Sequence, residues 1–206
     1  VGPTGTGKTT VAKWILETNF QGKFVYVNCW KYKRTHQVLK EILLSFEVPV
    51  HGREPTSELI RMLERLLERK KRIIVCLDEV DQLKDYDVLY ILARHDCCLI
   101  LISNDYKALI GLDARIKSRL NLIEIEFPAY RNDELFDILK DRVSYSFRPG
   151  TLPINLIKIA SIAAKGDARI GLEILRRAGR KAEKKGLRKV TVNEIREALR
   201  EAMRLR

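Results

Sequence analysis

A parallel α/β sheet followed by a small all-α unit is the architecture to expect of these 206 residues. The chain opens on a glycine-rich turn that runs straight into helical periodicity. Short, apolar, β-rich runs then alternate with helical spacing, the pattern of a parallel sheet covered by helices. After Pro128-Ala129-Tyr130-Arg131-Asn132 the alternation stops and only helical spacing continues. The expected division is an α/β unit over 1–130 and a helical unit over 131–206.

The elements follow in order. Val11, Ala12, Trp14, Ile15 and Leu16 begin a helix directly after the glycine-rich turn. Such a turn ordinarily follows a strand, so a chain that begins at Val1 is expected to lack that strand. Phe24 to Asn28, Ile73 to Asp78, Leu99 to Asn104 and Leu122 to Phe127 read as strands. Between them Val38, Leu39, Ile42, Leu43 and Phe46 mark one helix, and Leu59, Ile60, Leu63, Leu66 and Leu67 another. Pro49, Gly52 and Pro55 make the stretch between these helices a loop, and Pro55-Thr56-Ser57-Glu58 enters the second. In the last third, Asn132 is expected to cap a helix carrying Leu135, Phe136, Ile138 and Leu139, and Arg148-Pro149-Gly150 breaks the chain. Ile154 to Ala164 forms a second helix, Asp167 starts a third, and Thr191-Val192-Asn193 opens a fourth.

A hydrophobic content of 46% is enough to bury a real core. No run approaches the ~18 apolar residues of a membrane span. Cys29, Cys76, Cys97 and Cys98 form no C-x-x-C pair, and His36, His51 and His95 are scattered, which argues against a zinc site or a disulfide framework and for a reducing, intracellular compartment. The net charge is +12, and residues 131–206 hold 19 Lys/Arg against 10 Asp/Glu. Arg176, Arg177, Arg180, Lys181, Lys184, Lys185 and Arg188 recur at spacings that hold a basic stripe along one side of a helix until Gly186 weakens it. That stripe reads either as a solvated face or as a sequence-neutral, salt-sensitive contact with nucleic-acid phosphates.

The chemistry sits at two places. Gly2-Pro3-Thr4-Gly5-Thr6-Gly7-Lys8-Thr9-Thr10 contains a complete G-x-x-x-x-G-K-[ST] phosphate loop. Its glycines let successive N–H groups turn onto phosphate oxygens, Lys8 supplies a point charge to the outer phosphates, and the Thr9 hydroxyl suits Mg²⁺. The second place is Ile73-Ile74-Val75-Cys76-Leu77-Asp78-Glu79, a buried strand ending in two acids at the carboxyl edge of a parallel sheet. Asp78 is poised for the metal, and Glu79 is the natural activator of the attacking water. Together the two motifs imply ATP or ADP with Mg²⁺. Asn104, at the end of a similar apolar run, either orients the lytic water or caps a turn.

These residues resemble AAA+ ATPases, and among them the archaeal replication initiators of the origin-recognition and cell-division-control family. The matching stretches are the phosphate loop, Leu77-Asp78-Glu79-Val80-Asp81, Ile102-Ser103-Asn104, Leu112-Asp113-Ala114-Arg115-Ile116-Lys117-Ser118-Arg119-Leu120 and Gly166-Asp167-Ala168-Arg169. The resemblance implies that Asn104 is a first sensor and Arg169 a second sensor in a helical lid. It implies too that Arg115 or Arg119 is a finger donated to a neighbouring subunit's ATP. Arg169 would sit in the first turn of a helix, where the dipole disfavours a cation, so an outer phosphate or an ion pair with Asp167 must offset it. Arg115 and Arg119 share one face of a short helix, and surface solvation is the alternative for each.

The resemblance implies an ATP-dependent DNA-binding switch: ATP closes the lid, the closed form binds origin-type double-stranded DNA and assembles other AAA+ subunits or the replicative helicase, and slow hydrolysis resets it. It implies a cytoplasmic, nucleoid-associated protein and no membrane partner. In such relatives a C-terminal winged helix is the main DNA reader, and this chain ends at Arg206 before one could begin. A helical insertion in the ATPase domain also meets DNA there, and the loop bearing His51 and Arg53 is the candidate for that neighbourhood. The rivals are a clamp-loading or helicase-loading motor, and a nucleotide-triggered signalling ATPase. A small-molecule kinase fits least, since no substrate-lid motif accompanies the loop.

Overall fold

The computed structural model describes residues 1–70, 72–95, 97–107 and 114–203. They fall into two compact units, Val1–Gly2 with Lys8–Glu126, and Pro3–Gly7 with Phe127 onward. The phosphate loop is thus shared: its ends belong to the first unit and its tip to the second.

The first unit is built on three parallel strands, β1 (Phe24–Asn28), β2 (Ile73–Asp78) and β3 (Cys97–Ile102), in the order β1-β2-β3. All six residues of β2 are buried, which is why it reads as an unbroken apolar run rather than an alternation. Helices α1 (Lys8–Asn19), α2 (Thr35–Ser45), α3 (Thr56–Arg69), α4 (Asp87–Ala93) and α5 (Ala114–Leu120) complete the unit. The two-residue period of β2 divides it between two cores. Ile73, Val75 and Leu77 pack with Val38, Leu39, Ile42 and Leu43 of α2 and Leu59 and Leu63 of α3. Ile74 and Cys76 pack with Ala12 and Leu16 of α1. Asp78 continues the second series, so the same alternation that buries Cys76 against α1 turns the Asp78 carboxylate toward the first turn of that helix.

Strand β3 starts at Cys97, two residues before its expected span, and ends at Ile102, where Ser103 and Asp105 close a tight turn: the Ser103 hydroxyl oxygen accepts from Asp105 N–H at 3.0 Å. The expected strand over Leu122–Phe127 is not a strand. Its backbone meets Val1, whose amino group donates to Ile125 O at 2.8 Å. Two short elements lacked a readable period: α4 and a 3₁₀ turn over Val80–Gln82.

The second unit is all-helical: α6 (Asn132–Ser146), α7 (Ile154–Ala164), α8 (Ala168–Lys184) and α9 (Val192–Met203). Leu135, Leu139, Leu156, Ile157, Ile174, Leu175 and Ile195 form its core. Asn132 is the first helical residue of α6 rather than its cap; Arg131 holds that place, and its N–H donates to Glu134 Oε2 at 2.9 Å. Asp167 caps α8, accepting from Arg169 N–H at 2.9 Å and Ile170 N–H at 3.3 Å. Helix α8 ends at Lys184 and Gly186 turns the chain with φ 66°, so Lys185 and Arg188 stand beyond the helix instead of extending its stripe. The stripe is also divided in chemistry. Arg177 and Lys181 pair with Glu201, and Lys181 and Lys185 with Glu197, across to α9.

Candidate functional site

In the first unit, the first turn of α1 and the end of β2 meet. Thr9 Oγ1 donates to Asp78 Oδ2 at 2.8 Å, and Lys8, itself buried, donates from Nζ to Gly2 O at 2.7 Å. Tyr26 reaches the same carboxylate oxygen from β1 at 2.6 Å, because the register sets Tyr26 beside Cys76, on the α1 side of the sheet. Burial, and then the bond to Asp78, push the Tyr26 hydroxyl well above its ordinary pKa, so it stays a donor. Glu79 N–H donates to Asp78 Oδ1 at 3.0 Å. With two hydroxyls and an N–H around it, the nearly fully buried Asp78 carboxylate is held in one orientation.

Glu79 leaves the strand in the left-handed region, φ 58° and ψ 47°, and starts the 3₁₀ turn. That conformation is costly for a residue with a Cβ and turns the Glu79 side chain away from the period of β2. One turn on, Asp81 Oδ1 accepts from the Ser103 hydroxyl at 3.0 Å and from Asn104 N–H at 3.3 Å. Burial raises the Asp81 pKa, but bonds from Gln82, Ser103 and Asn104 outweigh it and hold the carboxyl below its ordinary value. Asp81 therefore pins the backbone of Asn104 just past the end of β3, which lies beside the Asp78 strand in register. The Asn104 side-chain amide has no hydrogen-bond partner among the described residues.

The tip of the phosphate loop is anchored within the second unit. Thr4 Oγ1 donates to Asp167 Oδ2 at 3.2 Å, and Gly5 O accepts from Ala168 N–H at 3.1 Å. Gly5 has φ 75°, and a Cβ there would lie 1.9 Å from Asp167 Oδ1, so this position requires glycine. Thr6 Oγ1 closes the turn onto Pro3 O at 3.0 Å. Arg169, next to Ala168, is exposed, and its guanidinium makes no ion pair with Asp167, whose oxygens serve the cap and Thr4. Gly7, with φ 83°, and Thr10, exposed on α1, complete the loop residues.

Of the finger candidates, Arg119 is exposed on α5 with its guanidinium 5.9 Å from the centre of the Tyr90 ring. Arg115 lies on the same helix, and its side chain is outside the described residues, as are Leu112 and Asp113 of the matching stretch. The loop of His51 and Arg53 is closed on itself by Glu54, which accepts from His51 N–H at 2.6 Å and Gly52 N–H at 2.7 Å. Three residues escaped the sequence reading: Tyr26, Asp81 and the anchoring role of Asp167. Asp81 and Asp167 left a signal, as members of the stretches Leu77-Asp78-Glu79-Val80-Asp81 and Gly166-Asp167-Ala168-Arg169; Tyr26 left none.

The donor set around Asp78, a carboxylate and a hydroxyl on adjoining elements, is the all-oxygen chemistry that suits a hard divalent cation. Comparison with known proteins agrees with this reading of the fold. Residues 1–107 match the family model of an AAA domain, and residues 136–200 that of the Cdc6 AAA+ ATPase-type lid domain. An ORC1-type DNA replication protein 1 of Sulfurisphaera tokodaii is 37% identical over 96% of this chain and 54% of its own length. The ORC1-type DNA replication protein 1 of Halobacterium salinarum is 35% identical, over 98% of this chain and 68% of its own. The structure of the Aeropyrum pernix ORC1 protein in complex with DNA superposes with a TM-score of 0.87 at 31% identity, covering 97% of this chain and 58% of that one. The chain thus spans about half the length of several relatives it matches. On its sequence, its two family models and its fold, the chain belongs to the ORC1-type DNA replication proteins of the AAA+ ATPases.

Proposed function

We propose that this chain is the ATP-binding part of a replication initiator, a switch in which bound ATP sets the DNA-binding state and slow hydrolysis resets it. The observation that carries the proposal is the 2.8 Å bond between the Thr9 hydroxyl and Asp78, which supports a single metal and phosphate site formed by two motifs 69 residues apart. Backbone N–H groups of the loop from Gly2 to Thr9, Pro3 excepted, and the Lys8 ammonium would cradle the phosphates. Thr9 and Asp78 would hold Mg²⁺, which when bound would offset the charge of the outer phosphates. Glu79 takes a proton from the attacking water, and Asn104, fixed through Asp81, orients that water. Arg169 answers the outer phosphate; the hydrogen bond between its neighbour Ala168 and Gly5 of the loop supports this role. Arg119 or Arg115 serves the site of a neighbouring AAA+ subunit.

DNA enters by kinship, since one solved relative is an ORC1 protein in complex with DNA. The test is DNA binding by the full-length protein with and without ATP across a salt series. Affinity that depends on ATP and falls steeply with salt supports the switch. Rapid DNA-stimulated turnover, with affinity indifferent to the nucleotide, would favour a loading motor instead. Loss of all DNA binding at every salt concentration would favour a signalling ATPase.

A further inference from the structure

The second unit carries a groove of about 880 Å³ between the end of α6, the Arg148–Thr151 turn, one side of α8 and the Leu187–Val190 segment. None of the residues assigned to the nucleotide lines it. Two features of its lining belong together. Its rim carries Arg142, Arg148, Arg180, Arg188 and Lys189, all exposed, and among the described residues none of the five has an acidic partner. Its floor is apolar: Phe147, Leu175 and Val190 line it, and Leu172 and Leu187 lie 36% and 42% exposed within it. Gly179 makes part of that floor, since a Cβ there would come 2.8 Å from the Phe147 ring.

The contrast with the opposite side of α8 gives this surface its meaning. There Arg177 and Lys181, with Lys185 just beyond the helix, are matched one after another by acids of α9. On the groove side Arg176 pairs with Glu173 at 2.6 Å and Glu183 also lines the groove, but Arg142, Arg148, Arg180, Arg188 and Lys189 have no acidic partner among the described residues, and the Leu172 and Leu187 side chains are left in water. An unpaired cationic rim around an apolar centre is the arrangement of a recognition surface, with apolar contacts inside and polar ones at the edge. A DNA duplex would satisfy the rim and leave the leucine floor wet, because its outer face is sugar and phosphate. A short helical segment with acids on its flanks and leucine at its centre satisfies both.

We propose that this groove docks an acidic amphipathic segment of a partner protein, through its cationic rim and apolar floor, at a site separate from the nucleotide. The probe is a fluorescein-labelled peptide of about 12 residues, rich in Glu and Asp, with leucine at helical spacing. It is titrated into the full chain beside a serine-for-leucine version and a labelled duplex. The leucine peptide is expected to bind, with affinity falling at least about tenfold in the double variant Arg142→Glu/Arg188→Glu and in Leu187→Ser. The serine peptide is expected to bind at least about tenfold more weakly than the leucine peptide. Circular dichroism of both variants should match the parent, since every substituted side chain is exposed. Equal binding of the two peptides would overturn the proposal by showing that charge alone acts. So would a duplex that loses affinity in Arg142→Glu/Arg188→Glu while the peptide fails to bind. Failure of every probe to bind would also overturn it. Nucleotide affinity, unchanged in these variants, keeps the outcome distinct from that of the ATP site.

Discussion

At the residue scale, Asp78 is where the two motifs meet. Its two oxygens accept from Thr9, Tyr26 and the Glu79 N–H, so its geometry is set before any ligand arrives. Tyr26→Phe removes one of these donors, and the expected cost is about 1 kcal/mol of stability, read as a lower denaturant midpoint. Glu79 has a different task. Glu79→Gln keeps size and polarity and loses the proposed base, so nucleotide affinity should stay within about twofold while turnover falls about 10²- to 10⁴-fold in a phosphate-release assay. Turnover that survives Glu79→Gln would place water activation elsewhere. The loop and the acidic pair were legible because each is a local pattern with its own spacing. Tyr26 and Asp81 were not, because they act through strand register and through a turn that no local period encodes.

At the scale of elements, β2 shows how a fold aims a side chain. A run buried on both faces has no alternation to read, yet its alternation in space sends Val75 and Leu77 to the α2–α3 core and Cys76 and Asp78 to the α1 side. Both buried thiols near this point, Cys29 and Cys76, are pushed up to about 12, by burial first and by nearby carboxylates second, so they stay protonated as core residues. The long helices were legible from their apolar spacing; α7 spans Ile154–Ala164 as read. Helix α4, with seven residues, was too short to show a period, and the 122–127 stretch has strand composition but pairs with no strand among the described residues. Asp167 joins two elements, capping α8 and holding Thr4 of the loop. Asp167→Ala should therefore cost about 1–2 kcal/mol in thermal or chemical unfolding, the range for a lost cap. It should also weaken nucleotide binding, which a helix cap alone would not do.

At the scale of the whole molecule, charge is the leading variable. The excess of +12 is concentrated in the helical unit, but the structure shows part of it matched by α9. Within that unit Glu194 is held at about 2 by the Thr191 hydroxyl and Lys185, and Glu173 at about 2 by Arg176 and Arg177, against an ordinary value of 4.5. Carboxyls depressed in the folded state stabilise it fully above their unfolded pKa and lose that contribution as the pH falls toward the folded one. Unfolding midpoints should therefore hold above about pH 5 and decline between about pH 5 and pH 2, with a shallower decline in Glu194→Gln. A midpoint independent of pH across that window would contradict the assignment.

The central claim is that the loop and the tip of β2 hold a magnesium-bearing triphosphate together. Calorimetric titration of ATP into the full-length protein, with Mg²⁺ and with a chelator, tests it on the parent, Lys8→Ala and Asp78→Asn. The parent should bind more tightly with Mg²⁺, Lys8→Ala should weaken binding under both conditions, and Asp78→Asn should erase the difference between them. A magnesium dependence that persists in Asp78→Asn would contradict the account.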